Sequence, residues 1–251
     1  MIVSWNGRLV KEGVVSLAVN DPLFLRGEGV FETVRVEEGK PRLWERHYER
    51  LGRSAARMGW VVPESGCLLG QIEELVVANG LASARVRITL GKEVLMTAVA
   101  LPDEVEVATA ITSDCPVNER SPLAQVKCTS YAENIVLLRE SGVDEVIRAN
   151  TLGELCEGCL SNVFFVKEGR IYTPSLDSGC LPGVMRAHLM SRVEVEEGRW
   201  AIEILKEAEE VWLSNAIRGL RSLSVLDGRK LEGASALFKR VRESLELREA
   251  Q

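Results

Sequence analysis

The chain has 251 residues, 46% hydrophobic and 27% charged, with a net charge of −6. That composition is globular and excludes a disordered or collagen-like chain. A mildly acidic sequence without a basic run lacks the footprint of a general nucleic-acid binder, and no uncharged apolar run approaches the roughly 18 residues of a membrane helix. Met1-Ile-Val-Ser-Trp-Asn-Gly7 lacks a basic segment followed by an apolar one, so the expectation is a cytoplasmic protein with reduced thiols.

In chain order, Ile2–Trp5 and Val14–Val19 read as short strands ended by Asn-Gly and Asn-Asp. Val30–Val36 alternates apolar and polar residues, which predicts a strand, and Glu38-Gly39-Lys40-Pro41 predicts a turn. Trp44–Met58 reads as a helix with Leu43, His47, Leu51, Ser54 and Met58 near one face. Leu68–Ala78 is a second helix, ended by Asn79-Gly80. Ala84–Leu90 and Val94–Leu101 pair around Gly91-Lys92, and Val105–Ile111 alternates again. Ser113–Pro122, with two prolines, marks the expected domain connection, so the predicted division is 1–112, a connection at 113–120, and 121–251. Beyond it, Tyr131–Ser141 reads as a helix and Glu145–Ala149 as a strand. Val163–Val166 and Ile171–Thr173 are strands around Glu168-Gly169, Val184–Val193 is a helix, Val211–Ser214 and Leu220–Leu226 are strands, and Ala234–Leu247 is a closing helix. Without regular β-α alternation, an α+β fold is expected.

Several chemistries are limited at once. His47 and His188 are the only histidines, and neither a G-x-S-x-G elbow nor an H-E-x-x-H helix occurs, so a lysine, a carboxylate or a cofactor must move protons. Cys156 and Cys159 form a C-x-x-C without a second pair or a nearby histidine, which favours buried thiols over a metal site; no metal is expected. Gly27-Glu28-Gly29 lacks its third glycine and precedes a strand, so a dinucleotide site is rejected.

Three stretches carry more. They are Arg26-Gly-Glu-Gly-Val-Phe-Glu-Thr-Val-Arg-Val36 with His47-Tyr-Glu-Arg50-Leu51; Lys127-Cys-Thr-Ser-Tyr131-Ala-Glu-Asn134 with Asp144-Glu145; and Glu157-Gly-Cys-Leu-Ser161-Asn162 with Thr173-Pro174 and Gly179-Cys-Leu-Pro-Gly183-Val-Met-Arg186. In this order the series resembles the class IV (fold-type IV) pyridoxal-phosphate enzymes, which include branched-chain and D-amino-acid transaminases and 4-amino-4-deoxychorismate lyases. The resemblance covers nearly the whole chain. It implies an α+β two-domain enzyme with pyridoxal 5′-phosphate in the interdomain cleft, acting on an amino-acid-like small molecule as a homodimer, with no nucleic-acid or membrane partner.

Residue by residue, the resemblance makes Lys127 the Schiff-base lysine and proton-transfer base, in the C-terminal domain. It sets Glu157 beside the pyridine nitrogen, where a carboxylate favours the protonated ring. Arg50, in H-x-x-R-L, and the Val184-Met185 N–H groups at a helix start would take the phosphate. Ser161-Asn162 would line the cofactor, and Asn215-Ala216 matches a second phosphate-side loop. The family's threonine is Met185 here, and Ser130 replaces a usual asparagine. Tyr131 has two readings, a contact to the ring oxygen or a packing aromatic. Phe31 is a wall residue, Glu32 a structural hydrogen-bond partner, and Arg26 and Arg87 are candidates for a substrate carboxylate or for ion pairs. The Lys127-x-x-x-Tyr131-x-Glu-Asn run and Ser214–Leu220 resemble the lyases, which eliminate pyruvate to give 4-aminobenzoate. The alternatives are a branched-chain or D-amino-acid transaminase and, more remotely, a non-catalytic pyridoxal-phosphate-binding protein.

Overall fold

The structure, a computed structural model, describes residues 1–11 and 14–246. The chain forms two compact units, Met1–Asp103 with Val126–Tyr131, and Glu104–Gln125 with Ala132–Gln251.

Unit 1 contains β1 (Val3–Trp5), β2 (Arg8–Val10), α1 (Pro22–Arg26), β3 (Val30–Glu37), β4 (Lys40–Pro41), α2 (Trp44–Met58), α3 (Ser65–Ala78), β5 (Ala84–Leu90) and β6 (Val94–Ala100). The strands make one antiparallel sheet in the order β2-β1-β6-β5-β3-β4. Period-2 alternation splits its faces. Val30, Val34 and Val36 of β3 and Ala84, Val86, Ile88 and Leu90 of β5 are buried in the core with α2 and α3. Phe31, Arg85, Arg87 and Thr89 fall on the opposite face. In α2, Trp44, His47, Arg50, Leu51, Ser54 and Ala55 are buried at helical spacing, and Gly59 ends the helix in the left-handed region that suits glycine.

Unit 2 contains β7 (Val107–Val117), α4 (Ala132–Ser141), β8 (Glu145–Asn150), β9 (Leu155–Gly158), β10 (Asn162–Lys167), β11 (Arg170–Pro174), α5 (Val184–Met190), β12 (Glu196–Gly198), β13 (Glu210–Asn215), β14 (Gly219–Leu226), β15 (Arg229–Lys230) and α6 (Ala236–Glu246). Its sheet runs β12-β11-β10-β13-β14-β7-β8-β9, with β15 on β14. β7 is parallel to both β8 and β14, whereas β10, β13 and β14 pair antiparallel. Apolar side chains of β8, β10, β13 and β14, among them Ile147, Val163, Phe165, Leu213 and Leu223, form the core.

The α+β class holds, and most expected elements stand within a few residues of their predicted bounds. Four expectations are corrected. Residues 14–18 form no strand, and Val14 and Val19 are exposed; β1 pairs with Arg8–Val10 instead. Residues 113–117 are no connection, because the strand begun at Val107 runs on through them despite Pro116. Lys127 lies with unit 1: Phe31 donates its N–H to the Lys127 carbonyl (2.9 Å) and Thr129 donates to the Gly29 carbonyl (2.8 Å), so 126–131 pairs alongside β3. The predicted helix to Val193 stops at Met190. A further strand, β9, lacked the alternation that would have predicted it. Leu247 of the closing helix lies outside the described residues.

Candidate active site

Unit 1 gathers the lysine and a buried arginine on opposite faces of β3. On the outer face, the Lys127 ammonium lies 4.4 Å from the centre of the Phe31 ring. Arg87 stacks its guanidinium on the same ring at 3.8 Å, and Tyr131 meets it edge-on, centroids 5.6 Å apart. Both cations therefore rest against one aromatic ring. The Lys127 backbone is anchored by its N–H to Ser54 Oγ of α2 (3.3 Å). Glycines permit this close approach: a Cβ on Gly29 would stand 3.1 Å from both the Leu90 carbonyl and Thr129 Oγ1. Those glycines, which superficially suggested a nucleotide loop, make room for the lysine segment. Arg87 is half-buried, and burial lowers its pKa from the ordinary guanidinium value.

On the inner face, Arg50 donates Nε and Nη2 to Glu32 Oε1 and Oε2, both at 2.8 Å, and His47 Nδ1 donates to Oε2 at 2.6 Å. All three side chains are buried. Burial by itself would raise the Glu32 carboxyl; the Arg50 guanidinium and His47 outweigh it and hold the group well below the usual carboxylate range. Glu32 is thus the structural partner expected from the sequence, and the residue it holds is Arg50. Arg26 is exposed and paired with Glu28.

Unit 2 gathers the other candidates at neighbouring strand ends. The β10–β13 register sets Asn162 opposite Ser214, so that Ser161 and Asn215 become neighbours, and Asn215 Nδ2 donates to Ser161 Oγ (3.2 Å). Glu157 Oε2 accepts the Leu181 N–H and Asn162 Nδ2 donates to the Leu181 carbonyl, both at 2.8 Å, fixing the loop that leads into α5. A Cβ on Gly183 would lie 1.8 Å from Asn162 Oδ1, so only glycine fits there. Val184 and Met185 open α5, whose start has no side-chain cap. Asn215 Oδ1 accepts the N–H groups of Ile217 (3.1 Å) and Arg218 (2.8 Å), shaping the turn that contains Ala216. Asn134 donates to the Cys159 carbonyl (2.9 Å) and accepts from Arg148 Nη1 (2.9 Å), so part of the lyase-like run braces the turn after Glu157.

None of the six cysteines is in a disulfide. Burial pushes the Cys159 thiol up to about 12 and Cys180 to about 11, and raises Cys156 further. Among the described residues no group of three or more His, Cys, Asp or Glu side chains has metal-holding geometry, and no helix is long and apolar enough to cross a membrane. Glu145, beside Asp144 in the second stretch but given no role there, is a fully buried carboxylate that opens an apolar strand.

The model of the class IV amino-transferases matches residues 29–226. The chain belongs to the class IV aminotransferases. It is 30% identical to the aminodeoxychorismate lyase of Bacillus subtilis over 246 residues, covering 84% of this chain and 82% of that protein. It is 31% identical over 236 residues to a Thermotoga maritima protein named probable branched-chain-amino-acid aminotransferase, covering 88% and 85%. A solved structure of a hypothetical aminotransferase from Mycobacterium tuberculosis in its PLP-bound form shares the fold, with a TM-score of 0.88, 22% identity and 98% of each chain covered.

The protein is a pyridoxal 5′-phosphate enzyme, a lyase or aminotransferase with an amino-acid-like substrate. The residues present fit that cofactor. They include an amine, a buried guanidinium, a carboxylate beside a glycine-dependent loop, and a buried Ser214 hydroxyl with no hydrogen-bond partner among the described residues, next to Asn215.

Proposed function

We propose that the protein is a 4-amino-4-deoxychorismate lyase-like enzyme. The observation that carries this proposal is the similarity to the Bacillus subtilis lyase over 84% of the chain. The run from Lys127 to Asn134 adds to it, because its Glu133 and Asn134 brace β8 and the turn after Glu157. Bound pyridoxal phosphate supplies an electron sink for the substrate carbon that bears the amine.

The chain's own groups do the rest. Lys127 Nζ takes the proton from that carbon. The electron pair left behind expels the enolpyruvyl oxygen, the ring becomes aromatic 4-aminobenzoate, and the departing group takes up a proton to leave as pyruvate. Phe31 and Tyr131 wall the amine, and Arg87, poorly hydrated on Phe31, is suited to a substrate carboxylate. Arg26, exposed and already paired, is the weaker candidate for that role. Glu157 favours a protonated pyridine nitrogen. By the family resemblance, Arg50 of unit 1 and, in unit 2, the Val184 and Met185 N–H groups and the Asn215-Ala216 loop would serve the phosphate, and Ser161 and Asn162 would line the cofactor. The family's homodimer is proposed for this chain as well, since Val19, Phe24 and Leu25 expose apolar side chains in unit 1.

A class IV aminotransferase is the second reading, favoured by the 31% identity to the Thermotoga maritima relative. Here Lys127 would return the proton to the cofactor side, and a keto acid would leave. Visible spectra of the pyridoxal-phosphate-loaded protein with a panel of L- and D-amino acids separate the two. The lyase keeps its yellow band with all of them. An aminotransferase bleaches to the pyridoxamine form with its donor.

A further inference from the structure

Glu145 has no part in the roles assigned above, yet it is the most completely enclosed carboxyl of unit 2, with 0% of its surface exposed. Its Oε1 accepts the N–H of Val146 (3.1 Å), both its oxygens accept the N–H of Leu160 (3.2 Å each), and the Ser161 side chain faces it, pulling against the upward push of burial. The turn after Glu157 is wrapped around this carboxyl. A Cβ on Gly158 would come within 2.8 Å of Glu145 Cδ, so the turn closes only with glycine there. Gly158 donates to the Ser161 carbonyl (2.8 Å) and Cys159 to the Val146 carbonyl (3.0 Å), which locks the turn against β8.

The bonds run on in one direction. A serine hydroxyl has a single proton. Ser161 Oγ accepts Asn215 Nδ2, which leaves its own proton to turn toward the facing Glu145. The Asn215 amide is thereby oriented, with Oδ1 toward the Ile217 and Arg218 N–H groups. Every bond to Glu145 comes from a donor, which is the pattern of an ionised carboxylate.

We propose that Glu145 is a positioning residue: through Ser161 and Asn215 it holds the 158–161 and 215–218 turns in the arrangement that takes the cofactor. This inference rests on the proposed cofactor roles of Ser161 and Asn215. The charged and titratable groups facing Glu145 are Arg221 of β14, itself near Asp144, and the Cys159 thiol of the turn. Cys159 stays protonated, so the carboxyl itself is the group of this set that titrates near neutrality. Burial pushes it up to about 7 against the opposing pull of Ser161, the two N–H groups and Arg221.

The test is pyridoxal-phosphate affinity, read by visible absorbance, in wild type, E145Q, S161A and the double variant. Wild type binds, E145Q raises Kd about tenfold, the loss expected for a hydrogen bond to a charged group, and in the S161A background E145Q adds less than about twofold, because the relay is already broken. A wild type that takes up no pyridoxal phosphate overturns the cofactor assignment. A wild type that binds, with E145Q unchanged or with equal cost in both backgrounds, overturns the positioning role and leaves the cofactor assignment standing. If E145Q does not fold, the wild type decides. The Leu160 amide resonance follows the Glu145 titration, and saturating pyridoxal phosphate moves its midpoint down by about half a pH unit or more, since coupling between the two sites is reciprocal. An unmoved midpoint contradicts the inference.

Discussion

Among the described residues, Glu32 of unit 1 and Glu145 of unit 2 are the most deeply buried carboxyl groups, and the two are treated in opposite ways. Glu32 of unit 1 is held by the Arg50 guanidinium with two bonds and by His47 with one, and stays ionised far into acid. Glu145 of unit 2 receives two backbone N–H groups and faces the Ser161 side chain, with Arg221 as its facing cation, and burial carries it up to about 7. Burial is nearly equal at the two sites, so the partners decide. A full counter-charge makes Glu32 a fixed strut for Arg50, whereas neutral donors leave Glu145 able to respond to pH near neutrality.

The largest expected effect comes from breaking the first of these arrangements. E32A removes the acceptor shared by Arg50 and His47 in the core of unit 1 and should lower unfolding stability by about 3–5 kcal/mol, the cost of breaking a buried ion pair at one partner. Urea denaturation at pH 7 measures it, and a loss below 1 kcal/mol would remove the strut from the account.

The two carboxyls should also give stability–pH profiles of opposite slope. For Glu32 the folded pKa is depressed, so its stabilisation is present above the unfolded carboxyl value and is lost as pH falls below about 4.5. The stability gap between wild type and E32Q should therefore be widest at neutral pH and narrow in acid. For Glu145 the folded pKa is raised, so ionisation costs the folded state progressively as pH climbs from about 4.5 to about 7. E145Q should consequently compare better with wild type at pH 8 than at pH 4, by roughly 2–3 kcal/mol from the size of that shift. Parallel profiles for the two variants would erase the contrast.

The smallest effect concerns the thiols. Cys156, Cys159 and Cys180 are buried and held protonated, so a thiol reagent should modify exposed Cys67 readily and leave these three untouched until the protein unfolds. Rapid native modification of Cys159 would show that the turn over Glu145 opens.

Much of this was legible in the residues. The β3 and β5 alternation and the α2 stripe foretold those elements, because each rests on local periodicity, whereas the candidate groups came from the family resemblance of the ordered motifs rather than from periodicity. Three features were not. Residues 113–117 carry a proline yet continue a strand, because pairing with β8 outweighs the local signal. Lys127 joins unit 1 through backbone bonds to β3 that no local pattern encodes. Glu145 shows its role only when the turn from Gly158 to Ser161 folds over it, a relation set by tertiary pairing across more than a dozen residues of chain.

The central claim is that Lys127 and its neighbours turn an amino substrate over with pyridoxal phosphate by eliminating pyruvate. The most direct measurement is product analysis of the loaded protein with 4-amino-4-deoxychorismate, beside the Lys127→Ala variant. The account predicts 4-aminobenzoate and pyruvate in equal amounts from the wild type and neither from the variant. Equal turnover by Lys127→Ala, or a wild type that yields no 4-aminobenzoate while a simple amino acid converts its cofactor to the pyridoxamine form, would contradict it.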